Sequence, residues 1–214
     1  ALAFSVKHKR KIIMNYSNEK AKAYSNEGNV MTDIKIVAPT DVTTVTTIEQ
    51  LDVEEVNQNS IKEIVLKRGT EAKEITPQIE VFNNKETAIK NVNVLGTFPI
   101  GEGEDDVGIN VTTPINTQKG TVYYSENANA TDDLTNEENG WSQEIVNLSK
   151  IKKYLISVDE LTSQDSILAT YNAIIPANLE YNENASQDYQ VEYTDVATNI
   201  SDSVKSAQLK MTTG

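Results

Sequence analysis

Residues 73–98 read KEITPQIEVFNNKETAIKNVNVLGTF, and their spacing decides the fold. Ile75, Ile79 and Val81 fall on one face of an alternating pattern. After Asn83-Asn84-Lys85-Glu86, Ile89 is followed by Val92 and Val94. A period of two is the signature of a strand with one buried face. The polar Asn-rich corner between the two runs makes the unit a hairpin or an arch from one sheet to another. Pro77 has no N–H to give to a ladder, which places the first run at a sheet edge or a bulge. Phe98-Pro99 ends the second.

The same pattern extends outward. Residues 42–51 (VTTVTTIEQL) are rich in β-branched side chains, which lose rotamer freedom in a helix. Residues 61–67 suit helix or strand and are read as strand, closed by the turn Arg68-Gly69-Thr70. Further strands are expected at 107–112, 120–124, 151–158, 167–175, 189–194 and 206–212, with a polar crossover over Thr194–Ser203. Upstream, 2–6, 20–24 and 31–37 read the same way. No segment has the apolar periodicity of a three-turn helix, although 131–150 has room for a short one. Many short strands with polar corners predict an all-β, Ig-like antiparallel β-sandwich. Residues 125–149 (SENANATDDLTNEENGWSQEIVNLS) are the exception. So long a polar excursion needs something to hold it, and Trp141, the one tryptophan, is expected to pin it to the sandwich.

Part of the chain occurs twice. Asn15, Ser17, Glu19, Tyr24, Ser25 and Asn26 recur as Asn184, Ser186, Asp188, Tyr193, Thr194 and Asp195, each 169 residues later. Repeats at such a spacing signal a string of domains rather than an enzyme built around one cleft. The expected organisation is therefore 1–39 as the C-terminal strands of a preceding repeat and 40–214 as a β-sandwich repeat, with Ala38-Pro39-Thr40 at the boundary. On this reading the chain starts in mid-protein, and its neighbours would be further repeats.

Composition narrows the function. The chain has 214 residues, 38% hydrophobic and 6% aromatic, which suits thin two-layer packing better than a thick core. A net charge of −13 repels phosphate backbones and anionic membranes, so nucleic acid and membrane surfaces are poor partners. No cysteine is present, which removes disulfides, thiolate metal sites and cysteine nucleophiles. No apolar run approaches a membrane span.

Little in the sequence carries catalysis. The one histidine, His8, lies in the basic run Lys7-His8-Lys9-Arg10-Lys11 and has no echo in the second copy, which argues against a Ser-His-Asp triad or a histidine metal site. Adjacent acids such as Glu54-Glu55 or Glu137-Glu138 are not two carboxylates facing across a sugar cleft. Oxygen ligands suited to Ca²⁺ gather in two loops, one with Glu102, Glu104, Asp105 and Asp106, the other with Asp132 and Asp133 followed by Glu137, Glu138 and Asn139. Solvated acidic loops account for both equally well, so no cofactor is expected unless Ca²⁺ binds there. Trp141 with Tyr123 or Tyr124 is the one aromatic platform in reach of a ligand. Tyr24 and Tyr193, at equivalent repeat positions, read as structural corners with the hydroxyl on backbone. Lys62 or Lys90 paired with an asparagine such as Asn199 would suit an intramolecular amide cross-link, which also needs a buried carboxylate to move protons.

The stretches QIEVFNNKETAIKNVNVLGTFP, VYYSENANATDDLTNEENGW, ATYNAIIPANLEYNENASQDYQVEYTD and LKMTTG resemble a repeat of large Gram-positive (clostridial-type) cell-surface proteins and adhesins. That resemblance implies a non-catalytic stalk or spacer module, outside the cell at the surface or wall. Its expected partner is a host matrix protein or glycan. A carbohydrate-binding module of a secreted glycoside hydrolase is the alternative.

Overall fold

The computed structural model describes residues 3–5, 21–24, 31–34, 41–48, 54–55, 61–66, 69–99, 107–181 and 183–213, with backbone alone for 3–5, 21–24, 31–34, 54–55 and 61–63. It divides into two compact units, Ala1–Thr40 and Asp41–Gly214.

In the first unit β1 (Ala3–Ser5), β2 (Ala21–Tyr24) and β3 (Met31–Ile34) form a sheet in that order. β1 runs parallel to β2, and β2 pairs antiparallel with β3.

The second unit is an Ig-like β-sandwich. Its strands are β4 (Val42–Ile48), β5 (Glu54–Glu55), β6 (Ile61–Leu66), β7 (Lys73–Ile75), β8 (Pro77–Asn83), β9 (Ile89–Thr97), β10 (Asn110–Val111), β11 (Asn116–Thr117), β12 (Thr121–Ser125), β13 (Lys153–Leu161), β14 (Ser166–Thr170), β15 (Ala173–Ile175), β16 (Asn184–Gln187), β17 (Tyr189–Asp195), β18 (Ser201–Lys205) and β19 (Gln208–Thr213). One layer is the five-stranded sheet β12-β13-β9-β17-β18. Against it lies β11-β14-β8-β4, continued by β10-β15-β7 where β7 runs into β8 across Thr76 and β14 into β15 across Tyr171-Asn172. A fourth sheet, β16-β19-β6-β5, is joined to the five-stranded one where β16 runs into β17 across Asp188.

The core is one continuous apolar cluster. Ile79 and Val81 of β8 and Ile167 and Ala169 of β14 are fully buried with Val92 and Val94 of β9, Ile156 of β13 and Val191 of β17. Each large aliphatic buried this way contributes about 1.5–3 kcal/mol relative to leaving it exposed. Polar side chains cross the interior as a connected chain. Tyr171 Oη bonds Gln187 Oε1, and Gln187 Nε2 reaches Thr46 Oγ1. The Tyr189 hydroxyl is shared between the Val45 and Glu80 carbonyls at 2.8 and 2.9 Å, tying the five-stranded sheet to β4 and β8.

Several expectations are refined. Residues 73–98 are an arch and not a hairpin, because β8 pairs with β14 and β4 while β9 pairs with β13 and β17. Asn83 holds the arch. Its buried amide nitrogen donates to the Thr87, Leu161 and Thr162 carbonyls, and its Oδ1 accepts from Lys85 N. Pro77 is not at an edge. It opens a central strand at the Thr76 break, where its carbonyl accepts from Tyr171 N and its missing N–H cannot return that bond. The sandwich is also not wholly antiparallel, since β6 and β19 run parallel. Thr194–Ser203 is no crossover: β17 and β18 form a hairpin. The expected strand over 167–175 is broken in two, and 131–150 carries two single 3₁₀ turns, Glu137–Asn139 and Leu148–Lys150, in place of a longer helix.

The repeated segment builds one element twice. Ala21–Tyr24 and its copy Gln190–Tyr193 are each the first strand of an antiparallel hairpin. The corner role expected of Tyr193 is corrected. Its hydroxyl meets carboxylates, Asp41 Oδ1 at 3.3 Å and Asp202 Oδ2 at 3.4 Å, whereas the hydroxyls of Tyr189 and Tyr124 bond to backbone. The Tyr24 side chain lies outside the described residues.

Candidate functional site

The outer face of the five-stranded sheet carries the long excursion. Strand alternation sends Tyr154 and Ile156 inward and Leu155 outward. Leu155 is nonetheless fully buried. It lies between Tyr123 and Leu95 in the cross-strand row.

Residues 126–150 keep their shape through a succession of side chains that cap their own backbone. Asn127 Oδ1 accepts from Asn129 N, Asp133 Oδ1 from Thr135 N, Asn136 Oδ1 from Glu138 N and Asn147 Oδ1 from Ser149 N. Such Asx turns supply the hydrogen bonds that a strand or helix would otherwise give. Asn139 is the internal tie. It is buried, and its amide nitrogen donates to the Thr131 and Asp133 carbonyls while its Oδ1 accepts from Thr131 N.

Four attachments fasten the excursion to the sheet. Tyr124 and Ser142 exchange both backbone bonds at 2.8 and 3.0 Å. Ser125 Oγ donates to the Asn139 carbonyl. Lys153 Nζ donates to the Ala130 carbonyl at 2.9 Å, and Asn93 Nδ2 to Asp132 Oδ2 at 3.2 Å. Trp141 acts within the excursion: its indole N–H donates to the Thr131 carbonyl at 2.9 Å. The expected pinning of the loop to the sandwich thus falls to backbone, lysine and amide groups.

The candidate platform is divided. Tyr124 turns into the core, where its hydroxyl accepts from Ile115 N at 2.9 Å and burial pushes its ionisation up. Tyr123 and Trp141 stay half-buried on the outer side. The ring contacts among the described residues are internal, Phe98 against Tyr154 and Tyr171. Two shallow hollows flank the excursion. One, of about 240 Å³, has Leu95, Lys153, Asp188, Gln190 and Lys205 in its lining. The other, of about 390 Å³, lies against Tyr124, Glu126, Glu144, Val146 and Ile151.

Glu102, Glu104, Asp105 and Asp106 lie outside the described residues, as do His8 and the Lys62 side chain. Asp132 and Asp133 diverge. Asp132 turns to the sheet, while Asp133 is exposed and bonded to the Thr135 hydroxyl and N–H, which lower its pKa. Among the described residues no three His, Cys, Asp or Glu side chains are grouped to hold a metal. Lys90 and Asn199 are brought together, Lys90 Nζ donating to Asn199 Oδ1 at 3.0 Å, but at an exposed position. Among the described residues no carboxylate bonds either group. The sequence reading missed Glu192, whose alternation in QVEYT places it outward on β17 opposite Asn93. Nothing local told that Asp132 returns to the same spot.

No family model matches this sequence, and no curated protein matches it. Similar solved structures include a membrane-anchored protein from Corynebacterium diphtheriae (12% identity over 86% of this chain and 40% of that one, TM-score 0.44). The major pilin subunit of Bacillus cereus is another (8% identity, 91% and 48%, TM-score 0.38). A family 123 glycoside hydrolase from Clostridium perfringens is a third (15% identity, 80% and 27%, TM-score 0.33). The chain spans about two fifths of the length of the first of these. No helix among the described residues is long and apolar enough to cross a membrane.

Proposed function

We propose that this chain is a non-catalytic module of a bacterial cell-surface protein, serving as a stalk or spacer that presents the loop-braced outer face of its five-stranded sheet to a matrix protein or glycan. The observation that carries this reading is the repeated segment, which forms the first strand of a hairpin in both units. Repetition of a small rigid element is how an extended array is built, each module adding length and a further copy of one face. A continuous sandwich core gives the rigidity, and an acidic surface keeps neighbouring arrays apart.

The carbohydrate-module alternative needs an exposed aromatic face. Trp141 is half-buried with its indole N–H engaged, and Tyr124 belongs to the core. One experiment separates the readings. Residues 41–214 are titrated with purified collagens, fibronectin and an oligosaccharide panel while Trp141 fluorescence is followed. In parallel, antibodies against the chain are tested on intact cells of the source bacterium. Surface labelling with matrix or glycan binding supports the adhesive module, and surface labelling alone supports the spacer. No labelling of intact cells overturns both.

A further inference from the structure

The chain crosses the second unit from one pole to the other, and it is fastened at both. At the entry pole Val42 lies opposite Asn83, and Ile89 opposite Asp195 and Leu161. Asp41, the first residue of this unit, is held there by the arch and by β17. Its carbonyl accepts from Asn84 Nδ2 at 2.9 Å, its Oδ1 accepts from the Tyr193 hydroxyl at 3.3 Å, and Lys85 Nζ stands 3.8 Å from the same oxygen. From this pole β18 and β19 run toward the other as one side of a long ribbon, with β16 and β17 as its second side. Ser201 pairs with Thr194 near the entry pole, and Thr212 with Asn184 at the far one. The ribbon stays joined where it changes sheet, because Ser206 N donates to the Tyr189 carbonyl at 2.8 Å and Tyr189 N to Ser206 Oγ at 2.9 Å. At about 3.3 Å per residue, Ser201–Thr213 covers about 40 Å. Thr213 is buried and fastened in its turn. Its N–H donates to the Glu183 carbonyl at 3.0 Å, and its hydroxyl donates to the Glu180 carbonyl at 2.6 Å and accepts from Glu183 N at 2.8 Å.

A pull between these two ends falls on β4 and β19. β4 leaves Asp41 along β8 in antiparallel register, from Val42 opposite Asn83 to Ile48 opposite Pro77. β19 reaches Thr213 between β16, to which it is antiparallel, and β6, to which it is parallel. Each strand is drawn along its own axis. Antiparallel ladder bonds lie across the strands, so an axial pull shears them and every bond in the register bears load at once. A strand lifted sideways from one end loses its bonds one pair after another. We propose that the second unit is a tension-bearing module, in which β4 and β19 are shear clamps and Asp41 and Thr213 their locked ends. This rests on the spacer reading only for the source of the load. Axial slip of β19 also drags Leu209 and Met211 out of the core, and slip of β4 drags Val42 and Ile48. Forced unfolding is governed by the unfolding rate and not by equilibrium stability, so the direction of pull sets the resistance of one and the same fold.

The test is single-molecule pulling of the full chain in two directions. The sequence has no cysteine, so introduced thiols are unique handles. The double variant Thr40→Cys with Gly214→Cys loads the unit from pole to pole. The double variant Glu183→Cys with Gly214→Cys loads β16 against β19 at their paired ends, which opens that pair like a zip. Near-UV circular dichroism of the tyrosines and Trp141 checks that both are folded. At one loading rate, pole-to-pole pulling is expected to need a several-fold higher rupture force than opening from Glu183, and to release the unit in a single event. Equal forces in the two directions overturn the proposal. So does early release of β4 or β19 at low force in the pole-to-pole variant. Labelling of intact cells bears on the spacer reading and does not sense the direction of pull, so either can fail without the other.

Discussion

At the scale of single residues, one buried polar atom among the described residues is out of place. The Tyr154 hydroxyl is buried without a hydrogen-bond partner, packed over Gly96, its cross-strand neighbour. A buried hydroxyl without a bond is costly, so Tyr154→Phe should stabilise the sandwich by roughly 1 kcal/mol, read as a higher denaturant midpoint with unchanged slope. Gly96→Ala should destabilise it by about 1–3 kcal/mol, because a Cβ at position 96 would collide with the Tyr154 ring. A neutral Gly96→Ala variant would show that the ring does not depend on this glycine. Asp195 caps the β17–β18 turn. N–H groups of Thr198 and Ala197 and the Lys85 amine hold its carboxyl down at about 2. A lowered carboxyl pKa contributes stability above the ordinary carboxylate value, and that contribution disappears as pH falls through the folded value. A carboxyl-carbon NMR titration should therefore find Asp195 still ionised at pH 3, and a midpoint near 4 would refute the cap. Alternation in QVEYT places Glu192 outward on β17, a signal the sequence reading passed over. It was silent on the Tyr154 hydroxyl, because an unpaired atom is a property of the whole surrounding shell.

Among the elements, the arch at residues 83–89 has the clearest division of labour. Its strands were legible because Ile79, Val81, Val92 and Val94 alternate locally. Its two-sheet course was not, because a polar corner reverses the chain equally well within a sheet or between sheets. The Asn83 amide decides this by reaching Leu161 and Thr162, 78 and 79 residues away. Asn83→Ala removes those bonds and leaves buried carbonyls unpaired, so a loss of roughly 2–4 kcal/mol is expected. Thermal unfolding that matches the wild type would assign the arch to the backbone alone. The 125–149 excursion was recognisable as irregular from its polar run. Its order comes from Asx turns, which depend on where each Asn and Asp sits relative to the next N–H.

In the molecule as a whole, β19 completes the parallel pair with β6 and stands between it and β16. A chain ending before Gln208 would expose both neighbours and remove the buried Leu209 and Met211 from the core. It should fail to give a cooperative unfolding transition by circular dichroism, whereas residues 41–214 alone should unfold cooperatively. A cooperative truncated chain would reduce β19 to an accessory strand. Among the described residues no buried carboxylate bonds the exposed Lys90–Asn199 pair, so peptide mapping should recover Lys90 and Asn199 in separate, unlinked peptides, and a linked peptide that has lost one ammonia would refute this. The amino-acid sequence by itself determined the all-β class, the strand faces, the polar excursion and the repeated segment, because period and composition act between neighbours in the chain. Tertiary structure alone decided which strands share a sheet, that Gln187 meets Thr46 across 141 residues, and that Asp132 comes to rest on Asn93. Such meetings depend on closing long loops around a common core, and no local pattern encodes where the far partner will lie.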